Sequence, residues 1–153
     1  MNAATGIGAA RHALSGLLPA EARRRLRNRV YVDTLFNSRE PERTSWAVTD
    51  DGARLRVVHH GPADAPVLVL VHGWSCCVEY WNPQINALAE RYHVVAYDQR
   101  GHGESTWGRR AFDTDVLADD LYTVVSQTLP EAATAVFVGH SMGEVAAAHD
   151  PDV

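Results

Sequence analysis

Three short, continuously apolar segments restrict the architecture of this chain more than any other feature. They are residues 66–73 (PVLVLVHG), 93–98 (HVVAYD) and 135–140 (AVFVGH). Runs of this length that are rich in β-branched residues are typical of parallel strands buried on both faces of a sheet. Stretches with helical apolar spacing lie between them, at residues 78–92 and 113–129. Strands that alternate with helices predict an α/β fold, with a parallel sheet covered on both faces.

An antiparallel hairpin is predicted before the first of these strands. Residues 45–61 (SWAVTDDGARLRVVHHG) alternate between apolar and polar side chains on both sides of Asp51 and Gly52. The dipeptide Asp-Gly between two alternating segments is a strong signal for a hairpin turn. The sequence therefore predicts a mixed sheet, with two antiparallel strands followed by three parallel strands near Val67, Val94 and Val136.

Residues 1–44 differ from the rest of the chain. Leu14, Leu17 and Leu18 have helical spacing, and five arginines follow within residues 23–29. One interpretation is an amphipathic arm that docks on an anionic membrane surface or on a protein partner. The simpler interpretation is a solvated helical extension that lies on the domain. We therefore divide the chain into an Arg-rich helical extension, residues 1–44, and an α/β domain, residues 45–153.

The composition is that of a globular protein and argues against several functional classes. Of the 153 residues, 46% are hydrophobic and 22% are charged, close to the averages for globular domains. The net charge of -5 offers no cationic field for nucleic acid. Cys76 and Cys77 are adjacent and cannot link distant parts of a fold, which favours a reducing compartment. No apolar run approaches the roughly 18 to 20 residues that span a bilayer. We therefore expect a soluble, cytoplasmic protein.

The strongest catalytic motif is Gly139-His140-Ser141-Met142-Gly143, which matches the pattern G-x-S-x-G. In a nucleophile elbow, this pattern places a serine on a sharp turn between a strand and a helix. Such a turn strains the serine backbone, and only small neighbours let it pass close to adjacent chain. The context agrees, because a strand pattern precedes the motif and a helical pattern follows it. The alternative role of Ser141 is that of an ordinary helix N-cap.

Three segments in this order resemble the α/β-hydrolase family, in particular its esterase, lipase and perhydrolase-like branch. They are VHGW at residues 71–74, YDQRGHGES at 97–105 and GHSMG at 139–143, and the resemblance covers about residues 45–143. It implies an α/β-hydrolase-type sheet, no cofactor or metal, and a small-molecule acyl substrate. The implied site residues are Ser141 as nucleophile, the backbone N–H groups of Trp74 and Met142 as oxyanion hole, and His72, Gly73, Gly139 and Gly143 as structural residues of the oxyanion loop and the elbow.

Residue types around this motif refine the expected chemistry. A serine rather than an aspartate at position 141 points away from epoxide or halide chemistry and toward acyl transfer to water. The loop at residues 98–105 is expected to be structural rather than catalytic. Trp74, Tyr80 and Trp81 either line an acyl pocket or pack the first helix against the sheet, and both alternatives stay open.

The remainder of a catalytic triad is not evident in the sequence. In this fold the chain order is Ser, then Asp or Glu, then His, and the only such residues after Ser141 are Glu144, His149, Asp150 and Asp152. In a helix, His149 would lie about 12 Å along the axis from Ser141, too far to act as its base. His102 and His140 have no reason in the pattern to replace it. Glu144 also departs from the small residue that the resemblance leads us to expect.

These departures lead to an expectation about activity. We interpret the chain as an α/β-hydrolase domain truncated after the nucleophile elbow, which hydrolyses short p-nitrophenyl esters barely above a Ser141→Ala control. A rival hypothesis is a non-catalytic module that binds a small apolar ligand or a protein partner. Because the strand at residues 135–139 is apolar and would be left at a sheet edge, we also expect self-association through it.

Overall fold

The computed structural model describes residues 39–131 and 133–149. Within these residues the chain forms five strands: β1 (Arg43–Val48), β2 (Arg54–His60), β3 (Val67–Val71), β4 (His93–Tyr97) and β5 (Ala135–Gly139). It also forms a 3-10 helix (Val78–Trp81) and three α-helices: α1 (Asn82–Leu88), α2 (Thr114–Thr128) and α3 (Met142–His149). The helical extension predicted for residues 1–44 falls almost entirely outside the described residues, so that division of the chain stays a prediction.

The five strands form one mixed sheet in the order β1-β2-β4-β3-β5. β2 pairs antiparallel with both β1 and β4, whereas β3 pairs parallel with both β4 and β5. The predicted hairpin and the three predicted parallel strands are therefore confirmed. The hairpin turn uses Gly52 with φ +91°, a conformation that glycine adopts without steric cost. β1 begins at Arg43, two residues before the predicted start.

Helices cover both faces of the sheet, as predicted. On one face, Val69, Val95 and Tyr97 pack in a core with Leu117 and Leu121 of α2. On the other face, a second core joins the sheet to the 3-10 helix and α1; its fully buried members include Leu70, Val94, Ala96 and Ile85. Alternate residues of the same strands supply the two cores, because successive side chains of a strand point to opposite faces.

The helix predicted for residues 78–92 is shorter in the structure and is divided. A 3-10 turn comes first, in which the N–H of Asn82 donates to Glu79 O, and α1 then ends at Leu88. Pro83 accounts for the division: inside a continuous α-helix its ring would clash with the carbonyl of Glu79, whereas the first turn of a new helix accommodates it. The helix predicted for residues 113–129 is confirmed as α2 (Thr114–Thr128), and Asp113 accepts a hydrogen bond from Val116 N at its start.

The expectation that all three parallel strands are buried on both faces is wrong for β5. Val136 and Val138 are 58% and 37% exposed. Their pairing partners in β3 are Leu68 and Leu70, so the two valines point to the sheet face that carries α1. α1 covers the centre of the sheet and not the edge at which β5 lies.

No helix in the described residues is long and apolar enough to cross a membrane.

Candidate active site

Ser141 lies on a sharp turn between β5 and α3. Its φ is +55°, and Ser75 is the one other non-glycine residue with positive φ among residues 39–131 and 133–149. A serine in the left-handed region is strained, and such strain persists only where the surrounding structure enforces it. The N–H of Glu144 donates to Ser141 O at 2.9 Å, which starts the first turn of α3. The Ser141 side chain is exposed at this turn.

The two glycines of the motif allow the turn to pack closely. A Cβ at Gly139 would lie 2.5 Å from the backbone N of Glu144, and one at Gly143 would lie 2.2 Å from Val71 O. Both distances are shorter than real Cβ contacts. Glycine is therefore required at positions 139 and 143, because a larger residue at either position would clash with neighbouring backbone. Glu144, whose side chain is exposed, meets Gly139 through its backbone and is tolerated although the resemblance favoured a small residue there.

The loop that follows β3 touches this turn directly. A Cβ at Gly73 would lie 2.9 Å from His140 Nδ1 and 3.1 Å from Ser141 Cβ. Trp74 and Met142 each directly follow one of the two residues in this contact, Gly73 and Ser141, along the chain. The structure thus brings the residues predicted for the nucleophile and the oxyanion hole to one place.

The His72 side chain fixes the position of this loop through two hydrogen bonds. Its side chain is fully buried; Nε2 lies 3.0 Å from the backbone N of Gln99, and Nδ1 lies 2.8 Å from Gly73 O. Because a backbone N–H can only donate, Nε2 must be the acceptor, so the proton is on Nδ1 and donates to Gly73 O. Burial lowers the pKa of His72, which maintains this neutral tautomer. His72 thereby connects the loop after β3 to the loop after β4.

The described side chains offer Ser141 no hydrogen-bonded base. His140 stacks on Tyr80 with ring centroids 4.8 Å apart, and His102 Nδ1 lies 2.9 Å from Arg100 O. Neither contacts the Ser141 hydroxyl through a hydrogen bond. The side chain of His149 lies outside what the structure describes, and α3 is described as far as this residue.

The loop at residues 98–105 is built as a structural connection. The buried carboxylate of Asp98 accepts hydrogen bonds from the backbone N–H groups of Val78 at 2.8 Å and Glu104 at 3.0 Å. Ser105 Oγ donates to Asp98 O at 2.6 Å. These bonds join the loop to the 3-10 helix and close it on itself. No group in it meets Ser141, which agrees with the expected structural role.

Sequence reasoning missed a buried ion-pair network beneath this loop. The guanidinium of Arg100 is 1% exposed and donates to Asp120 on α2 at 2.6 and 2.7 Å and to Asp51 in the hairpin turn at 3.1 Å. One signal could have found it: Asp120 falls within the apolar face of α2, between Leu117 and Leu121. A carboxylate in that position needs a buried cation.

The aromatic side chains divide between the two roles left open above. Trp81 is 5% exposed and belongs to the core between the 3-10 helix and the sheet, so it packs. Trp74 is 58% exposed and Tyr80 is 40% exposed. Trp74 contacts His102 and Phe112 edge to face, with centroids 5.3 and 5.2 Å apart. Trp74 and Tyr80 therefore lie beside the elbow with accessible ring surface.

Comparison with known proteins agrees with this arrangement. The family model of the alpha/beta hydrolase fold matches residues 66–143, about half of the chain. That match contains the loop after β3, the loop after β4 and the elbow. The chain therefore belongs to the alpha/beta hydrolase fold family.

Relatives in this family carry different activities. Over 99 residues the chain is 40% identical to a bifunctional esterase/perhydrolase of Acinetobacter calcoaceticus, covering 64% of this chain and 35% of that protein. Over 105 residues it is 42% identical to epoxide hydrolase A of Mycobacterium tuberculosis, covering 67% and 32%. The crystal structure of a hydrolase from Pseudomonas aeruginosa superposes with a TM-score of 0.63 at 29% identity, covering 70% and 40%. The chain thus spans about a third of the length of these curated relatives.

Proposed function

We propose that this chain carries the nucleophile and the oxyanion hole of a serine hydrolase that acts on an ester or related acyl substrate. The observation that carries this proposal is the contact between the strained Ser141 turn and Gly73, with a Cβ at Gly73 only 3.1 Å from Ser141 Cβ. Ser141 Oγ would attack the acyl carbonyl carbon, and the N–H groups of Trp74 and Met142 would bind the oxyanion that forms. Water would then release the acid after the alcohol has left.

The residue at the elbow favours acyl chemistry over epoxide opening. Identity alone does not distinguish the two, since the esterase/perhydrolase and epoxide hydrolase A match this chain at 40% and 42%. A serine that attacks an acyl group forms an ester that water can hydrolyse, with backbone N–H donors for the developing charge. Ser141 is therefore the feature that supports acyl chemistry over the epoxide opening named for the second relative.

A non-catalytic module is the second candidate. It is favoured by one observation, namely that no described side chain hydrogen-bonds to the Ser141 hydroxyl. A serine hydroxyl needs a base to take its proton during attack. In this alternative the exposed rings of Trp74 and Tyr80 would bind a small apolar ligand or a protein partner.

A fluorophosphonate probe distinguishes the two candidates. We expect the probe to label Ser141, because the hydroxyl at the elbow would attack phosphorus while the N–H groups of Trp74 and Met142 bind the phosphoryl oxygen, and we expect labelling to disappear in Ser141→Ala. Ser75 provides a matched control, since it is also an exposed serine with positive φ, +59°. Ser75→Ala should keep the labelling. Intact protein without adduct on Ser141, by peptide mass spectrometry, would favour the binding module.

Gly73→Ala tests the oxyanion loop. The added methyl group would meet His140 O at 3.0 Å and Ser141 Cβ at 3.1 Å, so the loop must move away from the elbow by a few tenths of an ångström. Removing one oxyanion donor from a serine protease costs about 10²–10³ in rate. We expect the labelling rate of Ser141 to fall at least about 10-fold, while the thermal midpoint changes little. An unchanged labelling rate would place the oxyanion donors elsewhere.

The setting of this activity is part of the same proposal. Cys76 and Cys77 are both free thiols, which fits a reducing cytoplasm. The partner we propose is a small-molecule acyl substrate. Nucleic acid is not expected as a partner, because the net charge is -5.

A further inference from the structure

The side chain of Gln99 connects the loop after β4 to the loop after β3. Gln99 lies two residues beyond the end of β4 and is fully buried. Its side-chain Nε2 donates to the backbone carbonyl oxygen of His72. Because a carbonyl oxygen can only accept, the amide must turn its nitrogen toward His72. The backbone N–H of Gln99 also donates to His72 Nε2, so Gln99 holds His72 at both its carbonyl and its ring.

These bonds fix two successive peptide planes. The His72 carbonyl belongs to the peptide between His72 and Gly73, which the Gln99 amide therefore holds directly. The Gly73 carbonyl belongs to the next peptide and accepts from His72 Nδ1 at 2.8 Å. The described residues contain no cis peptide bond, so the Trp74 N–H points opposite to the Gly73 C=O in one plane. The direction of the Trp74 N–H is thus set by the His72 ring, which the Gln99 N–H orients.

The His72 carbonyl also lies against the nucleophile elbow. A Cβ at Gly143 would be 2.7 Å from His72 O, so this oxygen lies between the elbow and the Gln99 amide. A shift of the carbonyl would change the spacing between the loop after β3 and the elbow. Small displacements of a transition-state donor have large effects on rate, because the donor must meet the charge where it develops.

The bond to His72 O is the single hydrogen bond of the Gln99 side chain within residues 39–131 and 133–149. Its other polar atom, Oε1, is buried and accepts from no described group. A substitution of this side chain therefore removes one hydrogen bond and leaves the backbone bond from Gln99 N to the His72 ring in place. The contribution of the amide can be measured separately for that reason.

We propose that Gln99 is a positioning residue of the oxyanion hole. Its amide and its backbone N–H hold His72, and His72 holds the peptide that carries the Trp74 N–H. This role rests on the proposed function, in which that N–H binds the oxyanion. Gln99 acts through His72 and does not touch the substrate. The loop after β4, although structural in its construction, thereby affects the rate at which Ser141 reacts.

Gln99→Met and Gln99→Glu test the amide as a donor, because both keep its length and unbranched shape. Methionine cannot donate to His72 O at any pH. A glutamic acid donates when protonated, the form that burial favours, and loses the donor when it ionises. We expect the fluorophosphonate labelling rate of Ser141 in Gln99→Met to be at least about 10-fold below the parent at pH 6 and at pH 8.5. Gln99→Glu should stay within about 3-fold of the parent at pH 6 and fall to the methionine level at pH 8.5.

Backbone hydrogen exchange measured by NMR tests the positioning without the probe. The Cys76 N–H donates to Gly73 O at 3.3 Å, so its exchange reports on the order of this loop. We expect it to exchange at least about 3-fold faster in Gln99→Met than in the parent, with the amides of β4 unchanged. Thr106→Val is the control, since it removes the acceptor of the Arg54 N–H near the same loop. It should change neither the labelling rate nor the exchange at Cys76.

The outcomes separate this role from the hydrolase proposal. Equal labelling rates for the two Gln99 variants at both pH values would overturn it, because lost packing does not depend on pH. Unchanged exchange at Cys76 would overturn it whether or not Ser141 reacts. A parent chain that the probe does not label would refute the hydrolase proposal, and the exchange measurement would then decide whether Gln99 positions the loop. Circular dichroism establishes that each variant is folded at both pH values.

Discussion

Arg100→Met is expected to lower the free energy of unfolding by about 3–5 kcal/mol. Arg100 is 1% exposed, and its guanidinium bonds two carboxylates that are also buried, on Asp51 and Asp120. Removing it leaves both charges without a cation in a site that water does not reach. Loss of one partner of a buried pair costs far more than the net worth of the pair, because the remaining charge is uncompensated.

The protonation of this network supports the size of the effect. Hydrogen bonds to Asp120 raise the pKa of Arg100 further above its usual range. Burial alone would raise the pKa of Asp51, but hydrogen bonds from Thr49 and Arg100 outweigh burial and hold that pKa well below its usual range. Arg100 and Asp51 are therefore charged in the folded protein near neutral pH. Burial raises the pKa of Asp120, against the bonds from Arg100.

Arg110→Met is the matched control. Arg110 also pairs with an aspartate of α2, Asp119, but the two side chains are 38% and 61% exposed. Exposed pairs contribute about 0–1 kcal/mol, so this variant should remain close to the parent. Urea unfolding of the parent and the two variants compares their free energies of unfolding. In thermal unfolding, the midpoint of Arg100→Met should be lower than that of the parent by at least about 6 °C. Similar losses for both variants would show that the buried network contributes no more than a surface pair.

The sequence pattern predicts the sheet because burial and periodicity are local properties. Continuous apolar runs at β3 and β4 and the Asp51-Gly52 turn place these elements correctly. The pattern fails at Val136 and Val138, because a run of valines does not reveal whether a helix covers its second face. It also overextended the helix from residue 78, although Pro83 supplied the information needed to divide it.

The candidate site is predictable in part for the same reason. Gly139, Ser141 and Gly143 form a local turn, so their spacing alone indicates the geometry. The pairing of Arg100 with Asp51 joins residues 49 positions apart, and no local pattern connects them. His72 was predictable only in part. The resemblance implied that it fixes a loop, whereas its bond to Gln99 N, 27 positions away, is seen only in the structure.

A buried histidine cluster is a second feature that the sequence did not reveal. His59, His60 and His93 are 3%, 3% and 6% exposed. His59 Nδ1 lies 3.1 Å from His93 Nε2, and the guanidinium of Arg43 lies 2.9 Å from His59 Nε2. His93 begins β4, so the cluster lies at the end of the sheet opposite to Ser141. Burial, together with the Arg43 cation, lowers the pKa of His59 to about 3 and also lowers that of His93.

Mild acid is therefore expected to destabilise the protein through these histidines. Above pH 6.5, His59 is neutral in both the folded and the unfolded chain, and it contributes nothing to the pH dependence. Below pH 6.5 His59 becomes protonated in the unfolded chain, whereas in the folded protein it stays neutral down to about pH 3. The free energy of unfolding therefore decreases as the pH is lowered through this window. The loss reaches at most about 2 kcal/mol for His59 between pH 6.5 and pH 5, and His93 adds to it with the same sign.

Urea unfolding at pH 7.5 and at pH 5 measures this loss as a difference in free energy of unfolding. The double variant His59→Gln, His93→Gln removes both titrating groups. It should be less stable than the parent at pH 7.5, since glutamine does not reproduce the ring packing, and yet it should lose much less stability on acidification. The change with pH, rather than stability at one pH, is the decisive quantity because packing defects act equally at both values. The prediction is wrong if the parent protein has the same urea midpoint at both pH values. It is also wrong if the double variant loses as much free energy of unfolding on acidification as the parent does.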